Sequence, residues 1–244
     1  MNIENAVEIK NVDMHFHMST ERLNSLKEYF LKFVTRKLKF EKFVALDGVS
    51  LEIKKGDVFG ILGLNGSGKS TTLKLISGIL TPTNGTVETD GSIAPLIELG
   101  AGFDMELTAR ENIYLNGSVL GYSRKFMKEK FNEIVDFAEM WDFLDTPMKN
   151  YSSGMVARVG FAIATCTRPD ILIVDEILAV GDFRFQQKCE QRINEMINSD
   201  TTVIIVSHSI EQIERLCTHC AWLEKGKLKM VGPAQEVCNA YKQI

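Results

Sequence analysis

The chain has 244 residues, 45% of them hydrophobic and 25% charged, which is the composition of one large globular domain. These values exclude disordered and fibrous proteins. The net charge of -4 gives no indication of a general attraction to nucleic acid. No apolar stretch reaches the roughly 20 residues of a transmembrane helix, and the N-terminus lacks the pattern of a signal peptide. We therefore predict a cytoplasmic protein whose membrane role, if it has one, is peripheral.

Two apolar-alternating runs near the N-terminus, residues 6–12 and 44–53, predict β-strands. Between them, residues 19–42 carry apolar side chains every three or four positions and lysine or arginine at many of the others. This pattern predicts a basic amphipathic helix. One interpretation is a helix packed on its own domain with a solvated basic face. The other is a helix that lies near anionic lipid or docks on a membrane partner.

The most specific motif, G-x-x-x-x-G-K-S, follows the apolar run 58–63 and precedes a helical pattern that ends at Ile79. Backbone N–H groups of such a glycine-rich loop surround phosphate oxygens, Lys69 can reach the outer phosphates, and the Ser70 hydroxyl can ligate Mg²⁺. The motif therefore predicts binding of a nucleoside triphosphate. The predicted phosphate-binding residues are Gly63, Leu64, Asn65, Gly66, Ser67, Gly68, Lys69, Ser70 and Thr71.

Two later apolar runs end in polar residues that complete a hydrolytic site. Residues 171–174 predict a buried strand that leads into Asp175 and Glu176, and the strand 202–206 is followed closely by His208. Ligands of open α/β sheets bind at the carboxyl ends of the strands. We therefore predict that Asp175 holds Mg²⁺ and its water, Glu176 polarises the attacking water and His208 contacts the γ-phosphate. A hydrolase is favoured over a protein that only binds nucleotide.

The five cysteines are odd in number and scattered, as expected of reduced thiols. Cys217 and Cys220, with His219 between them, could form half of a metal site, but no second pair completes it. Buried thiols are therefore favoured over zinc or redox chemistry.

These motifs, together with the segment Tyr151-Ser152-Ser153-Gly154-Met155, resemble the nucleotide-binding subunit of ATP-binding-cassette (ABC) transporters over nearly the whole chain. The family signature is usually Leu-Ser-Gly-Gly-Gln, from which Tyr151, Ser153 and Met155 depart. The resemblance implies an α/β P-loop NTPase fold with a mixed-sheet core, an antiparallel β subdomain and a helical subdomain at 100–168. It also implies that the signature contacts ATP held by a second copy of the chain, so that hydrolysis needs a head-to-tail dimer.

Other family positions carry over residue by residue. Phe16 resembles the aromatic residue that stacks on adenine, and Phe43 is a rival for that role. Glu98 stands nearest to a family glutamine that touches Mg²⁺ and senses the transmembrane partner. Residues 177–182 occupy the place of the loop that communicates between subunits, with Asp182 as its closing acid.

The departures from the family pattern, including an insertion at 16–43, resemble one branch: bacterial ATPase subunits that export lipid-linked polysaccharides such as O-antigen and teichoic acid. This resemblance implies a single domain over 1–244 at the cytoplasmic face of the membrane, with an integral-membrane permease as partner and a lipid-linked glycan as substrate. The C-terminal carbohydrate-binding domain of some O-antigen members is not expected. The alternatives are an exporter of another substrate and, less favoured, a non-transport ABC ATPase. A P-loop GTPase is disfavoured because no Asn-Lys-x-Asp motif occurs. A small-molecule kinase is disfavoured because it would not need the signature or His208.

Overall fold

The computed structural model describes residues 4–19, 40–97, 99–100, 102–175, 182–207 and 209–243. Several sequence predictions lie outside the described residues: most of the basic helix, at 20–39, the loop 177–181, Glu98, Glu176 and His208.

Strands and helices alternate along the chain from Ser153 to Glu224. The strands are β1 (Asn5–Ser19), β2 (Phe40–Lys54), β3 (Val58–Leu62), β4 (Asn84–Thr89), β5 (Ile93–Leu96), β6 (Ile171–Asp175), β7 (Thr202–Val206), β8 (His219–Glu224) and β9 (Lys227–Pro233). The α-helices are α1 (Lys69–Ile76), α2 (Ala109–Val119), α3 (Arg124–Ala138), α4 (Ser153–Ala164), α5 (Phe183–Ile197), α6 (Ile210–Leu216) and α7 (Ala234–Tyr241). Two short 3-10 turns, Trp141–Phe143 and Met148–Asn150, separate α3 from α4.

The strands form two sheets. A six-stranded sheet has the order β5-β6-β7-β3-β8-β9, in which only β9 pairs antiparallel to its neighbour among the described strands. A three-stranded antiparallel sheet has the order β2-β1-β4. This arrangement, with the helices, confirms the predicted α/β fold with a mixed sheet and an antiparallel sheet. Because β3, β5, β6 and β7 are parallel, their carboxyl ends meet at one edge, where the phosphate loop and Asp175 lie.

The six-stranded sheet is covered on both faces, and alternate residues of its strands enter different cores. In β3, Phe59 and Ile61 pack in a core shared with the antiparallel sheet and α1. Val58 and Leu62 pack in a second core, shared with α2 to α5. Burial on both faces explains why these strands read as continuous apolar runs in the sequence.

The structure corrects the ends of the predicted basic helix. Ser19 belongs to β1, and residues 40–42 belong to β2, so both ends of the interval 19–42 are strand. The cause is cross-strand pairing: β1 and β2 remain paired as far as Ser19 and Phe40, and an antiparallel partner satisfies the backbone groups that a helix would pair internally.

All five cysteines are free and buried. Burial raises the pKa of the Cys166 thiol to about 11 and that of Cys217 to about 12, so both are protonated at neutral pH. Within the described ranges, no cluster of three or more His, Cys, Asp or Glu side chains is placed to hold a metal ion.

Among the helices that the structure describes, none combines the length and apolar character needed to cross a bilayer.

Candidate functional site

A pocket of about 270 Å³ lies at the carboxyl edge of the parallel strands. Of the predicted phosphate-binding residues, six line it: Asn65, Gly66, Gly68, Lys69, Ser70 and Thr71. Asp175, at the end of β6, lines the same pocket, and Val206 of β7 is its cross-strand partner. The structure thus brings the phosphate loop and the predicted Mg²⁺ carboxylate to one cavity.

The loop wraps around the Lys69 side chain, which is 6% exposed. The Lys69 ammonium donates hydrogen bonds to the carbonyl oxygens of Gly63 at 2.8 Å and Leu64 at 3.1 Å. The buried Ser67 hydroxyl has no hydrogen-bond partner among the described residues. A buried polar group without a partner is costly. The Lys69 ammonium and the backbone of Gly66 and Gly68 line the pocket, so the loop suits a ligand rich in oxygen acceptors, whereas Ser67 does not line it.

Gly68 connects this loop to α1 and has a φ of +107°, in the region that side chains other than glycine rarely adopt. A Cβ at this position would lie 2.6 Å from Leu46 Cδ2 and 2.8 Å from the carbonyl oxygen of Ala45, both in β2. The turn into α1 therefore depends on the absence of a side chain at Gly68, because β2 packs directly against this residue.

The variant Gly68→Ala is expected to weaken nucleotide binding by about tenfold or more and to lower the free energy of unfolding. The left-handed backbone alone costs roughly 1–2 kcal/mol, and relief of the clash with Ala45 must displace the loop. Urea unfolding and ATP titration check this. Gly78→Ala is the matched control, because its φ is +70° but no atom lies within 4 Å of the added Cβ. It should lose stability and keep ATP affinity; equal loss of affinity in both variants would contradict the prediction.

The two candidate adenine-stacking residues lie side by side. Phe16 of β1 and Phe43 of β2 are directly paired across the antiparallel ladder, so they lie on the same face of the sheet. Phe43 is 45% exposed and lines the pocket, whereas Phe16 is half-buried and packs against the core of the antiparallel sheet. An exposed ring at the wall of the pocket is the better placed of the two to stack on a base.

The predicted signature lies at the N-terminus of α4. The Ser152 hydroxyl caps the helix by accepting a hydrogen bond from the Met155 N–H at 3.2 Å, and Ser153 begins the helix. Gly154 lies in the first turn. None of these residues is among the described residues that line the pocket of the same chain. A helix N-terminus with a serine cap favours an anion, but the described residues of this one do not line the pocket that holds the chain's own phosphate loop.

Tyr151, which departs from the family leucine, is anchored. Its side chain is buried, and its hydroxyl donates a 2.7 Å hydrogen bond to the carbonyl oxygen of Phe143 in the 3-10 turn. The two rings also meet edge to face, with centroids 6.5 Å apart. Burial raises the pKa of Tyr151, so the hydroxyl stays neutral. Tyr151 therefore adds to its apolar packing a hydrogen bond that fixes the direction of its side chain.

Tyr151→Phe should lower the free energy of unfolding by about 1 kcal/mol, because it removes one hydrogen bond. The Phe143 carbonyl oxygen keeps the hydrogen bond that it accepts from the Thr146 N–H at 2.8 Å. Chemical denaturation measures the change. Tyr114→Phe is the control, because Tyr114 stacks on Phe131 and its hydroxyl makes no hydrogen bond among the described residues. If both variants had the same stability, the anchoring role of the Tyr151 hydroxyl would be disproved.

Asp182 caps α5 by accepting a hydrogen bond from the Phe185 N–H at 3.0 Å, and it forms an ion pair with Arg158 of α4. The Phe185 N–H, followed by the Arg158 charge, holds the pKa of Asp182 below its usual value. Arg158 is a residue that sequence reasoning missed. The available signal was a basic residue one turn beyond the signature on an otherwise apolar helix.

Comparisons with known proteins agree with this geometry. The model of a family described as ABC transporter matches residues 46–179. The O-antigen export system ATP-binding protein RfbB of Klebsiella pneumoniae is 45% identical over 206 residues, which cover 84% of each chain. The teichoic acids export ATP-binding protein TagH of Staphylococcus haemolyticus is 40% identical over 239 residues, covering 98% of this chain and 89% of its own.

Solved structures share the fold. A dimeric, post-hydrolysis ATP-binding cassette with bound ADP and Pi has a TM-score of 0.72 at 24% identity and covers 93% of this chain and 98% of its own. The ATP-binding subunit of an ABC transporter has a TM-score of 0.75 at 21% identity, covering 97% and 93%. At these identities the likeness concerns the fold alone.

Proposed function

Since this chain belongs to the ABC transporter family, as an ATP-hydrolysing subunit, we propose that it powers the export of lipid-linked polysaccharide across the bacterial cytoplasmic membrane. The proposed substrate class is supported by one observation. Most of the chain is similar to ATP-binding proteins of both O-antigen and teichoic acid export. The polysaccharide would be of one of these two types.

Within this proposal, the loop at 63–71 holds the phosphates of ATP and Lys69 contacts the outer ones. Phe43 stacks on adenine, with Phe16 behind it as the alternative. The oxygen donors Ser70 and Asp175 line the same pocket, which suits Mg²⁺, a cation that prefers oxygen ligands. Bound Mg²⁺ would neutralise phosphate charge there.

Three residues outside the described part complete the proposed site. Glu98 is the further Mg²⁺ ligand; its segment leaves β5, which pairs with β6, at the edge where the pocket lies. Glu176 directly follows Asp175 and would polarise the attacking water. His208 follows β7 and would contact the γ-phosphate. The order of the strands supports all three roles, because each residue comes shortly after a strand end at this edge.

The active form is proposed to be a head-to-tail dimer. The signature residues 151–155 are absent from the described lining of the chain's own pocket, so a second copy would bring its signature to the ATP. Two equivalent sites would result, and closure around ATP followed by reopening would drive the partner. Asp182, which ends the segment after Glu176, would belong to the loop that links the two sites.

An integral-membrane permease is the proposed membrane partner, and it would hold this chain at the cytoplasmic face. A second cavity, of about 300 Å³, lies between the segment after β5 and α2 and is lined mainly by apolar side chains. Among them are Ile79 and Val119, which are 55% and 69% exposed. Exposed apolar surface of this kind marks interaction sites. This second cavity adjoins the segment of Glu98, the residue that by family resemblance would sense the permease.

Depletion of the protein in its native host tests the proposal. Lipid-linked glycan is measured in the cytoplasmic leaflet and at the cell surface, with complementation by the wild-type chain or by Lys69→Ala. We expect accumulation inside and loss outside, restored only by the wild type. Normal levels in both places would exclude polysaccharide export and favour another exported substrate. Salt-dependent binding of the purified chain to nucleic acid would instead favour a non-transport ATPase.

A further inference from the structure

The Arg158 guanidinium joins three elements of the helical layer. Nη1 lies 3.2 Å from a carboxylate oxygen of Glu139, the C-terminal cap of α3, and Nη2 forms an ion pair with Asp182, the N-terminal cap of α5. The guanidinium carbon also lies 4.6 Å from the centre of the Phe185 ring. The Arg158 side chain is only 15% exposed, although both carboxylates are more than half exposed.

This geometry uses properties that only arginine has. A planar fork of donors binds two carboxylates in fixed directions while its face stacks on an aromatic ring. Asp182 is itself held on its other side by the Phe185 N–H at 3.0 Å. Glu139 also pairs with Lys188 of α5 at 3.2 Å. Because each carboxylate is held by two groups, the contact restricts how α4 can rotate or slide relative to the start of α5.

We propose that Arg158 is a positioning residue for ATP hydrolysis, which fixes the signature end of α4 relative to Asp182 at the start of α5. The inference rests on the proposed head-to-tail dimer. In that dimer the signature serves the partner's ATP and Asp175 serves the chain's own. Arg158 is not among the described residues that line the chain's own pocket, but it joins the helix that begins with the signature to α5, which begins directly after Asp182, seven residues beyond Asp175 in the sequence.

A matched control lies in the same layer. Arg192 of α5 is 24% exposed, lies 4.8 Å from the centre of the Phe137 ring, and pairs with Glu133 at 3.3 Å. It also donates to the Thr165 carbonyl oxygen at 3.2 Å, at the far end of α4 from the signature. Arg192 therefore has the same kinds of contact as Arg158 and a similar degree of burial, but within the described residues it does not contact Asp182.

The test compares Arg158→Met, Arg158→Lys, Asp182→Asn, the double variant Arg158→Met with Asp182→Asn, and Arg192→Met in the purified full chain. Asparagine keeps the helix cap and removes only the charge, so that this variant should fold even if Arg158→Met is unstable. Steady-state hydrolysis gives kcat and KM for ATP, titration without Mg²⁺ gives nucleotide affinity, and urea unfolding gives stability.

We expect Arg158→Met and Asp182→Asn each to lower kcat by about tenfold or more, since small displacements of reacting groups have effects of this size. KM and nucleotide affinity should stay within about twofold, because the phosphate loop is untouched. The double variant should be no slower than the slower single variant, as expected of residues that act as a unit. Arg158→Lys should recover part of kcat, and Arg192→Met should keep it.

Three results would overturn the inference: an unchanged kcat in Asp182→Asn, additive losses in the double variant, or an equal loss of kcat in Arg192→Met. The last would mean that the arginine contacts serve only the stability of the helical layer. Because the assay uses the purified chain and ATP alone, its outcome is independent of whether the exported substrate is a glycan.

Discussion

Lys69→Ala is expected to reduce ATP affinity about a hundredfold. The Lys69 ammonium lies inside the phosphate loop, 2.8 Å from the Gly63 carbonyl oxygen, and its charge is the one that the loop places at the pocket. Hydrogen bonds to charged groups contribute about 1.5–3 kcal/mol, and the loss of the upper value corresponds to roughly a hundredfold change. Isothermal titration of the purified chain with ATP measures the effect.

Lys74→Ala is the control for this variant, because Lys74 lies on the same helix and does not line the pocket. Unfolding curves on the same samples separate a loss of binding from a loss of fold, since the ammonium also holds the carbonyl oxygens of Gly63 and Leu64. Wild-type affinity in Lys69→Ala would remove this residue from the proposed phosphate site.

Glu176→Gln is expected to slow hydrolysis by about a thousandfold and to leave ATP binding intact. The amide keeps the size of the carboxylate but cannot accept the proton of the attacking water, and general-base catalysis contributes roughly 10²–10⁴-fold. ATP should therefore persist in the site and hold two copies together. Phosphate release gives the rate, and light scattering with size-exclusion chromatography in the presence of ATP gives the oligomeric state.

Glu190→Gln, an exposed position on α5, is the control for the same change of charge. It should hydrolyse ATP at the wild-type rate and show no lasting dimer. If Glu176→Gln kept the parental rate, Glu176 would not be the group that activates water. If it lost hydrolysis but stayed monomeric with ATP, the head-to-tail dimer would be contradicted.

The loop between β3 and α1 was predictable from sequence because it is formed by contiguous backbone, and its binding of phosphate stays a prediction. The loop 63–70 and the strand before it are adjacent in the sequence, so their motif can be read from one short segment. The strands β6 and β7 are buried on both faces and therefore appear in the sequence as short apolar runs. The family could also be predicted from the sequence, because the resemblance rests on the order and spacing of such motifs. The family and its export branch were both confirmed by comparison.

Features that depend on pairing between distant segments were not predictable. The helical pattern at 19–42 gave no sign that Ser19 and Phe40 would pair as strands, because periodicity reports one segment at a time. Arg158 is separated from Glu139 by 19 residues and from Asp182 by 24, and only packing of three helices joins them. The same holds for the Tyr151 hydroxyl, whose acceptor is a backbone oxygen that no sequence pattern marks.

The ladder of β1 and β2 has a consequence for variation among relatives. Ser19 and Phe40 form the last described pair, three pairs beyond Phe16 and Phe43 and so roughly 10 Å along the strands. Residues 20–39 join the two strand ends beyond that pair. The cost of closing a loop rises only slowly with its length, so this stretch can lengthen, shorten or be exchanged in evolution while the register beside the pocket is kept. Residues 20–39 can thus diverge among relatives while the position of Phe43 beside the pocket is kept.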